Sequence, residues 1–134
     1  MILVDTSIWI DHLNTGDSLL AWYLEQVEVL MHPFVLGELA CGNLRNRQQI
    51  LGLLQHLPQA PCATAAEVLY FIEQQQLMGK GIGYVNLHLL ASVALGGTQG
   101  LWTRDQRLAH VAGTFGFSAQ LIALKGDLHE PPPL

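Results

Sequence analysis

The sequence predicts a single α/β domain in which a central, mainly parallel sheet is flanked by helices. Three observations carry this prediction. Short aliphatic runs alternate with longer segments whose apolar residues recur at helical spacing. Half of the 134 residues are hydrophobic and only 13% are charged, which suits one well-filled core and excludes a disordered chain. We expect the domain to span residues 1–124, and residues 125–134, with three consecutive prolines, to form a surface tail.

The strands are predicted from aliphatic runs that end at polar or turn-forming residues. Met1-Ile2-Leu3-Val4 is wholly aliphatic, as expected for a central parallel strand that is buried on both faces. The second run stops at His32-Pro33, because proline restricts the residue before it and has no N–H to donate. The predicted strands cover residues 1–4, 27–31, 100–102 and 120–124.

The helices are predicted from apolar stripes and from capping residues. Thr6 or Ser7 is the expected cap of the first helix, and Asp17 or Ser18 is the expected cap of the second. Three glycines within residues 79–83 predict a loop that allows a tight approach to the next helix. The predicted helices cover residues 8–13, 18–26, 34–44, 47–56, 65–78, 85–95 and 105–115.

Several classes of protein are disfavoured by composition. No apolar run approaches the roughly 18 to 20 residues of a membrane span, and the first residues lack the basic region of a signal peptide. We therefore expect a cytoplasmic protein. Cys41 and Cys62 match no disulfide framework or zinc pattern, so we expect small, reduced core residues. The six histidines are scattered, and no two stand at a metal-ligand spacing on one predicted helix.

The formal net charge is −5, with only six lysines and arginines. A domain that grips nucleic acid by neutralising phosphates normally presents a basic face. The charge therefore argues against a general nucleic-acid binder. An acidic protein can still act on nucleic acid if bound metal ions supply the positive charge.

Two aspartates are predicted to lie where strands end, at the edge where open α/β sheets bind ligands. Asp5 follows the first strand, and Asp105 follows the strand at residues 100–102. An ionised carboxylate after an aliphatic strand is costly without a partner, which suggests a nearby cation. The alternative is that each carboxylate caps the following helix. Thr103 could also cap that helix, hold a metal-bound water or orient a carboxylate.

Two further polar residues lie in apolar helical segments. Glu38 is the only charged residue between Met31 and Leu44, which weakens the ordinary interpretation of a solvated helical glutamate. Asn86 begins the apolar stripe of its predicted helix, so its side chain needs partners. His88 points to a different face of the same helix and is interpreted as a packing or surface residue.

Four blocks of the chain, in order, resemble those of VapC-type toxins of the PIN-domain family. They are MILVDTSIWIDH at residues 1–12, VLGEL at residues 35–39, GIGYVNLHLLAS at residues 81–92 and LWTRDQRL at residues 101–108. The resemblance covers nearly the whole of residues 1–124. It implies a PIN-like α/β/α sandwich.

The resemblance also implies a function and a site. The family's members are metal-dependent endoribonucleases, usually the toxin half of a toxin–antitoxin pair. Its acidic positions fall on Asp5, Glu38, Asn86 and Asp105, with a supporting hydroxyl at Thr103. These would be the catalytic and metal-binding residues for Mg²⁺ (or Mn²⁺), an ion that favours hard oxygen ligands. The expected partners are a cognate antitoxin, an RNA substrate and a second copy of the chain in a homodimer.

The chain departs from the family pattern at Asn86, where an aspartate is usual. Asparagine keeps the shape and one carbonyl oxygen but removes a negative charge, which weakens the attraction for a divalent ion. Two interpretations follow. The substitution inactivates an otherwise intact site, as an engineered change would so that a toxic enzyme can be produced, or it is natural in a weakened or non-catalytic member. The rival functions are therefore a regulatory or binding module with the same fold, and a metal-dependent nuclease acting on DNA or a phosphatase.

Overall fold

A computed structural model describes residues 1–123, which form three short strands and seven helices. The strands are β1 (Ile2–Val4), β2 (Val29–Leu30) and β3 (Leu101–Trp102). The helices are α1 (Thr6–Thr15), α2 (Ser18–Glu25), α3 (Pro33–Ala40), α4 (Arg47–Gln55), α5 (Ala65–Gln75), α6 (Tyr84–Ala94) and α7 (Gln106–Thr114).

The sheet has the order β2-β1-β3, and both pairings are parallel. Within β1, Leu3 pairs with both neighbouring strands, and Leu3 and Val4 are completely buried. Isolated parallel bridges add Gln59 beside Met31 and Ser118 beside Leu101. The predicted α/β sandwich with a central parallel sheet and flanking helices is therefore confirmed. The parallel order directs the carboxyl ends of all three strands to one edge of the sheet.

Side-chain caps fix where several helices begin. Asp5 caps α1, Asp17 caps α2 and Asp105 caps α7, each through a carboxylate oxygen that accepts a backbone N–H. His32 caps α3 in the same way through Nδ1, which accepts the N–H of Phe34. The expectation that Thr6 or Ser7 would cap α1 was wrong, since both lie inside the helix.

Several predicted elements were longer than those in the structure. The second strand begins at Val29 because Val27 has a φ of 56°, a left-handed conformation that cannot continue a strand. Helix α3 ends at Ala40, four residues before the predicted end. The guanidinium of Arg47 binds the carbonyl of Ala40, the last helical residue, and that of Gly42, which lies beyond the helix.

The predicted strand at residues 120–124 is absent over residues 120–123. The chain instead meets the sheet earlier, at the Ser118 bridge. Residue 124 and the expected tail, residues 125–134, lie outside the described residues.

The prediction that the cysteines lie in the core was also wrong. Cys41 and Cys62 are free and exposed, because Cys41 lies at the end of α3 and Cys62 lies in the loop before α5. Among residues 1–123, no helix combines the length and the apolar character that crossing a membrane requires.

Candidate active site at the carboxyl edge of the sheet

Asp5 lies at the carboxyl end of β1 and is 3% exposed. Its Oδ1 accepts the backbone N–H of Ser7 at 2.7 Å and the Ser7 hydroxyl at 2.5 Å. Its Oδ2 accepts the hydroxyl of Thr103. Three donors therefore hold this buried carboxylate in one orientation and supply the partners that a buried polar group needs.

Thr103 and Asp105 lie in the loop between β3 and α7, beside Asp5. The Thr103 oxygen donates to Asp5 and accepts the backbone N–H of Asp105 at 3.0 Å. The backbone N–H of Arg104 donates to the Ser7 hydroxyl at 3.0 Å. Asp105 itself is exposed, and its Oδ1 accepts the N–H of Leu108 at the start of α7. The structure thus brings Asp5, Thr103 and Asp105 together through a continuous set of hydrogen bonds.

Glu38 comes to the same edge from α3. Its side chain is exposed, and Oε1 accepts the Thr6 hydroxyl at 2.5 Å. Because Thr6 is the residue next to Asp5, this hydrogen bond places the Glu38 carboxylate beside the start of α1, although 32 residues separate the two in sequence.

Asn86 lies in the first turn of α6 and is half-buried. Helix α6 packs against β3, the strand that leads to Thr103. Within residues 1–123, no hydrogen bond engages the Asn86 side chain, in contrast to the three acids. The partners that the sequence required for this amide are thus not protein groups among the described residues.

An ion-pair cluster supports the loop that carries Thr103. Arg104 Nη1 lies 2.5 Å from an Asp11 oxygen, and Nη2 lies 2.6 Å from an Asp17 oxygen. The hydrogen bond to Asp17 raises the pKa of Arg104. Burial acts to raise the pKa of Asp17, but hydrogen bonds from Leu20 and Arg104 outweigh it and lower that pKa. The charge of Arg104 is therefore engaged in holding structure.

Sequence reasoning missed the roles of Thr6, Ser7 and Arg104. Asp5 and Ser7 stand at an Asp-x-Ser spacing. This spacing is a local signal for a turn in which a short polar side chain binds the backbone two residues on. The contacts of Thr6 with Glu38 and of Arg104 with Asp11 and Asp17 join residues 32 or more positions apart. No local sequence pattern indicates contacts over such separations.

The donor set matches a hard cation in its chemistry, because every polar group at this edge offers oxygen. Glu38 Oε2 and Asp105 Oδ2 accept no hydrogen bond from the described part of the chain. Residues 1–123 contain no group of three or more His, Cys, Asp or Glu side chains that could hold a metal ion. The acids thus lie at one edge of the sheet, but the described structure does not bring them into a complete group of metal ligands.

An α/β/α sandwich with carboxylates and hydroxyls at the carboxyl edge of a parallel sheet defines the class, a PIN-like domain. Two relatives, each called Ribonuclease VapC32, come from Mycobacterium tuberculosis strains CDC 1551 / Oshkosh and ATCC 25618 / H37Rv. Each is 48% identical over 108 residues, which cover 81% of this chain and 87% of the relative. No family model matches the chain. The chain belongs to the VapC family.

Proposed function

We propose that this protein is a metal-dependent endoribonuclease, the toxin component of a type II toxin–antitoxin system, and that Asn86 weakens or abolishes its activity. The observation that carries the proposal is the meeting of the candidate site residues at one edge of the sheet, where Thr103 bonds both the Asp5 carboxylate and the Asp105 backbone N–H, and Glu38 bonds Thr6, the neighbour of Asp5. The 48% identity to proteins called Ribonuclease VapC32 supports RNA as the substrate.

The roles of the residues follow from their contacts. Asp5 is the most firmly oriented acid and would be the central ligand of Mg²⁺ or Mn²⁺. Glu38 and Asp105 each have one oxygen that accepts no hydrogen bond from residues 1–123, and they would complete the set. The bound ion would supply positive charge toward the RNA phosphate, which the acidic chain lacks. Thr6, Ser7 and Thr103 act by orienting the carboxylates.

Asn86 determines how strongly the ion is held. Its amide offers one carbonyl oxygen and no charge, so the site carries one negative charge fewer than with aspartate. The Coulomb attraction between unit charges at ligand distance is at least about 1 kcal/mol even in water, and more near a protein surface. One substitution can therefore separate an active from a nearly inactive protein with the same fold.

We predict that Asn86→Asp increases RNA cleavage in the presence of Mg²⁺ or Mn²⁺ by roughly tenfold or more. Cleavage is measured on labelled single-stranded RNA, with and without a chelator. The matched control is Asp5→Asn in the Asn86→Asp background, which should return activity to background and remove metal binding in calorimetry. Equal activity of the chain as given and of Asn86→Asp would contradict a metal-site role for position 86.

The rival function is a regulatory or binding module that keeps the fold without catalysis, and the uncharged Asn86 is the observation in its favour. An Asn86→Asp variant that binds RNA and metal but cleaves nothing would favour this module. Offering tRNA, mRNA, single-stranded DNA and a simple phosphoester side by side tests the remaining alternatives, a DNA nuclease and a phosphatase.

We also propose a small antitoxin as the partner and a homodimer as the assembly. Both rest on the family, and exposed apolar side chains such as Leu69 and Tyr70 on α5 are consistent with a covered helix surface. Co-expression with the product of the neighbouring reading frame tests the first proposal. Sedimentation analysis of the purified chain tests the second.

A further inference from the structure

The basic side chains of the described residues divide into two groups. Arg104 is engaged by two carboxylates, and Arg47 is engaged by two backbone carbonyls. Within residues 1–123, Arg45, Lys80 and Arg107 take part in no hydrogen bond or ion pair. Beside the proposed metal ion, such unengaged cations are the groups of the described chain that can neutralise RNA phosphates.

Arg107 is the member of this group whose guanidinium lies over another segment of the chain. It is exposed, in the first turn of α7, two residues after the candidate ligand Asp105. Its guanidinium lies over Gly81, where a Cβ atom would be 2.5 Å from Nη1 and 3.1 Å from Cδ and Cζ. A side chain at position 81 would therefore displace the guanidinium from this point.

This contact joins the two helix starts that carry candidate site residues. Gly81 lies in the loop that leads through Gly83 into α6, whose first turn contains Asn86. Arg107 lies in the first turn of α7, which Asp105 caps. The guanidinium therefore spans the entrances of α6 and α7, beside the proposed metal site, with its charge free for a ligand.

We propose that Arg107 binds a phosphate of the RNA backbone at the edge of the active site, and that Gly81 holds the guanidinium there. This inference rests on the proposed ribonuclease function. A guanidinium presents several N–H groups in a planar fork that matches two phosphate oxygens. Its positive charge also offsets the repulsion between the phosphate chain and a protein of net charge −5.

The first test asks whether the positive charge of Arg107 contributes to RNA binding. Binding of a labelled single-stranded RNA to the chain as given is followed by fluorescence anisotropy over a salt series without added divalent ion, because a metal-dependent nuclease does not cleave the probe under these conditions. Arg107→Gln should weaken binding roughly tenfold at low salt and reduce the slope of log K against log salt by about 0.7. Arg107→Lys should keep the slope, because the charge remains. An unchanged slope in Arg107→Gln would overturn the proposal.

The second test asks whether the position of the Arg107 guanidinium over Gly81 matters for RNA binding. Gly81→Ala keeps the charge of Arg107 but pushes the guanidinium away, so RNA binding should weaken. Gly79→Ala is the matched control: the two glycines have φ of 71° and 75°, and a Cβ at Gly79 meets nothing within 4 Å. Both variants carry the same backbone strain, and their thermal unfolding checks that they remain folded. Equal loss of binding in the two variants would overturn the role of Gly81.

The results distinguish a failure of the Arg107 proposal from a failure of the proposed ribonuclease function. If Asn86→Asp cleaves RNA and the chain binds the probe, yet Arg107→Gln changes neither affinity nor slope, only the present inference fails. If the chain does not bind the probe and Asn86→Asp does not cleave RNA, the proposed function fails, and this inference fails with it.

Discussion

The carboxylate of Asp5 accepts three hydrogen bonds although the residue follows a strand without polar side chains. Two of these donors belong to Ser7, so Asp5 does cap α1. The cap and the proposed metal ligand are compatible, because an ionised carboxylate has about four lone-pair sites and the donors occupy three. The alternatives that position alone left open are therefore not exclusive, and the cap is the one that is confirmed.

His32 is a second buried polar residue whose state follows from its contacts. It is 1% exposed, its Nδ1 accepts the N–H of Phe34, and its Nε2 has no partner among the described residues. Burial, and next the neighbouring His88, lower the pKa of His32 from 6.5 to about 4. His88 is buried as well, beside the rings of Phe34 and Tyr84, and burial lowers its pKa too.

We predict that acid destabilises the protein through His32. Between pH 6.5 and about 4 the unfolded chain binds a proton at this residue and the folded chain does not. The free energy of unfolding is therefore greatest above pH 6.5 and falls by about 3 kcal/mol as the pH drops through this window. Urea denaturation as a function of pH measures it.

The matched variant is His32→Asn, which can still cap α3 but has no titrating group. Its unfolding free energy should depend less on pH over the same window. Parallel pH profiles for the two proteins would show that His32 is not the group responsible.

At the scale of elements, side chains rather than backbone connect the pieces of the site. Arg104 joins the β3–α7 loop to α1 through Asp11 and to the start of α2 through Asp17. Asp17 is 15% exposed, whereas Asp11 is 55% exposed. Because solvent weakens exposed pairs, Asp17 is the stronger partner. It also caps α2, so one carboxylate serves two elements.

We predict that the two roles of Asp17 can be separated. Asp17→Asn keeps the cap and loses the ion pair, so it should lower the unfolding free energy by about 1 kcal/mol or less. Asp17→Ala loses both and should cost roughly 1 kcal/mol more. Denaturation at low and at high salt measures the difference, since salt should reduce only the ion-pair part. Identical losses in both variants would contradict the cap.

At the scale of the whole molecule, β1 holds the sheet together. It is the only described strand that has another of the three strands on each side, and all three of its residues are buried. The same strand ends at Asp5, so the centre of the core and the proposed site are consecutive in sequence. Loss of packing in β1 therefore affects the whole fold.

We predict that Leu3→Ala destabilises the protein by about 2–5 kcal/mol, because it removes apolar burial and leaves a cavity at a fully buried position. The measurement is the midpoint of urea unfolding. Leu53→Ala is the matched control, since Leu53 is 61% exposed, and it should change stability by no more than about 0.5 kcal/mol. Similar losses for both would show that β1 is not central to the core.

Much of the fold could be predicted because its signals are local. The wholly aliphatic start, the helical stripes and the glycines at residues 79–83 place β1, most helices and the loop before α6 within a few residues. The failures have tertiary causes. Val27 adopts a positive φ, Arg47 binds carbonyls at and beyond the end of α3, and Ser118 rather than residues 120–123 meets the sheet.

From the sequence by itself follow the α/β class, the family resemblance and the identity of the candidate acids, because these depend on residue types and on periods of a few residues. Only the tertiary structure decided which side chains meet. The contact between Thr103 and Asp5 joins positions 98 residues apart, and that between Arg107 and Gly81 joins the first turn of α7 to the loop before α6. Such pairings depend on how parallel strands bring distant chain segments to one edge, and no local pattern encodes that geometry.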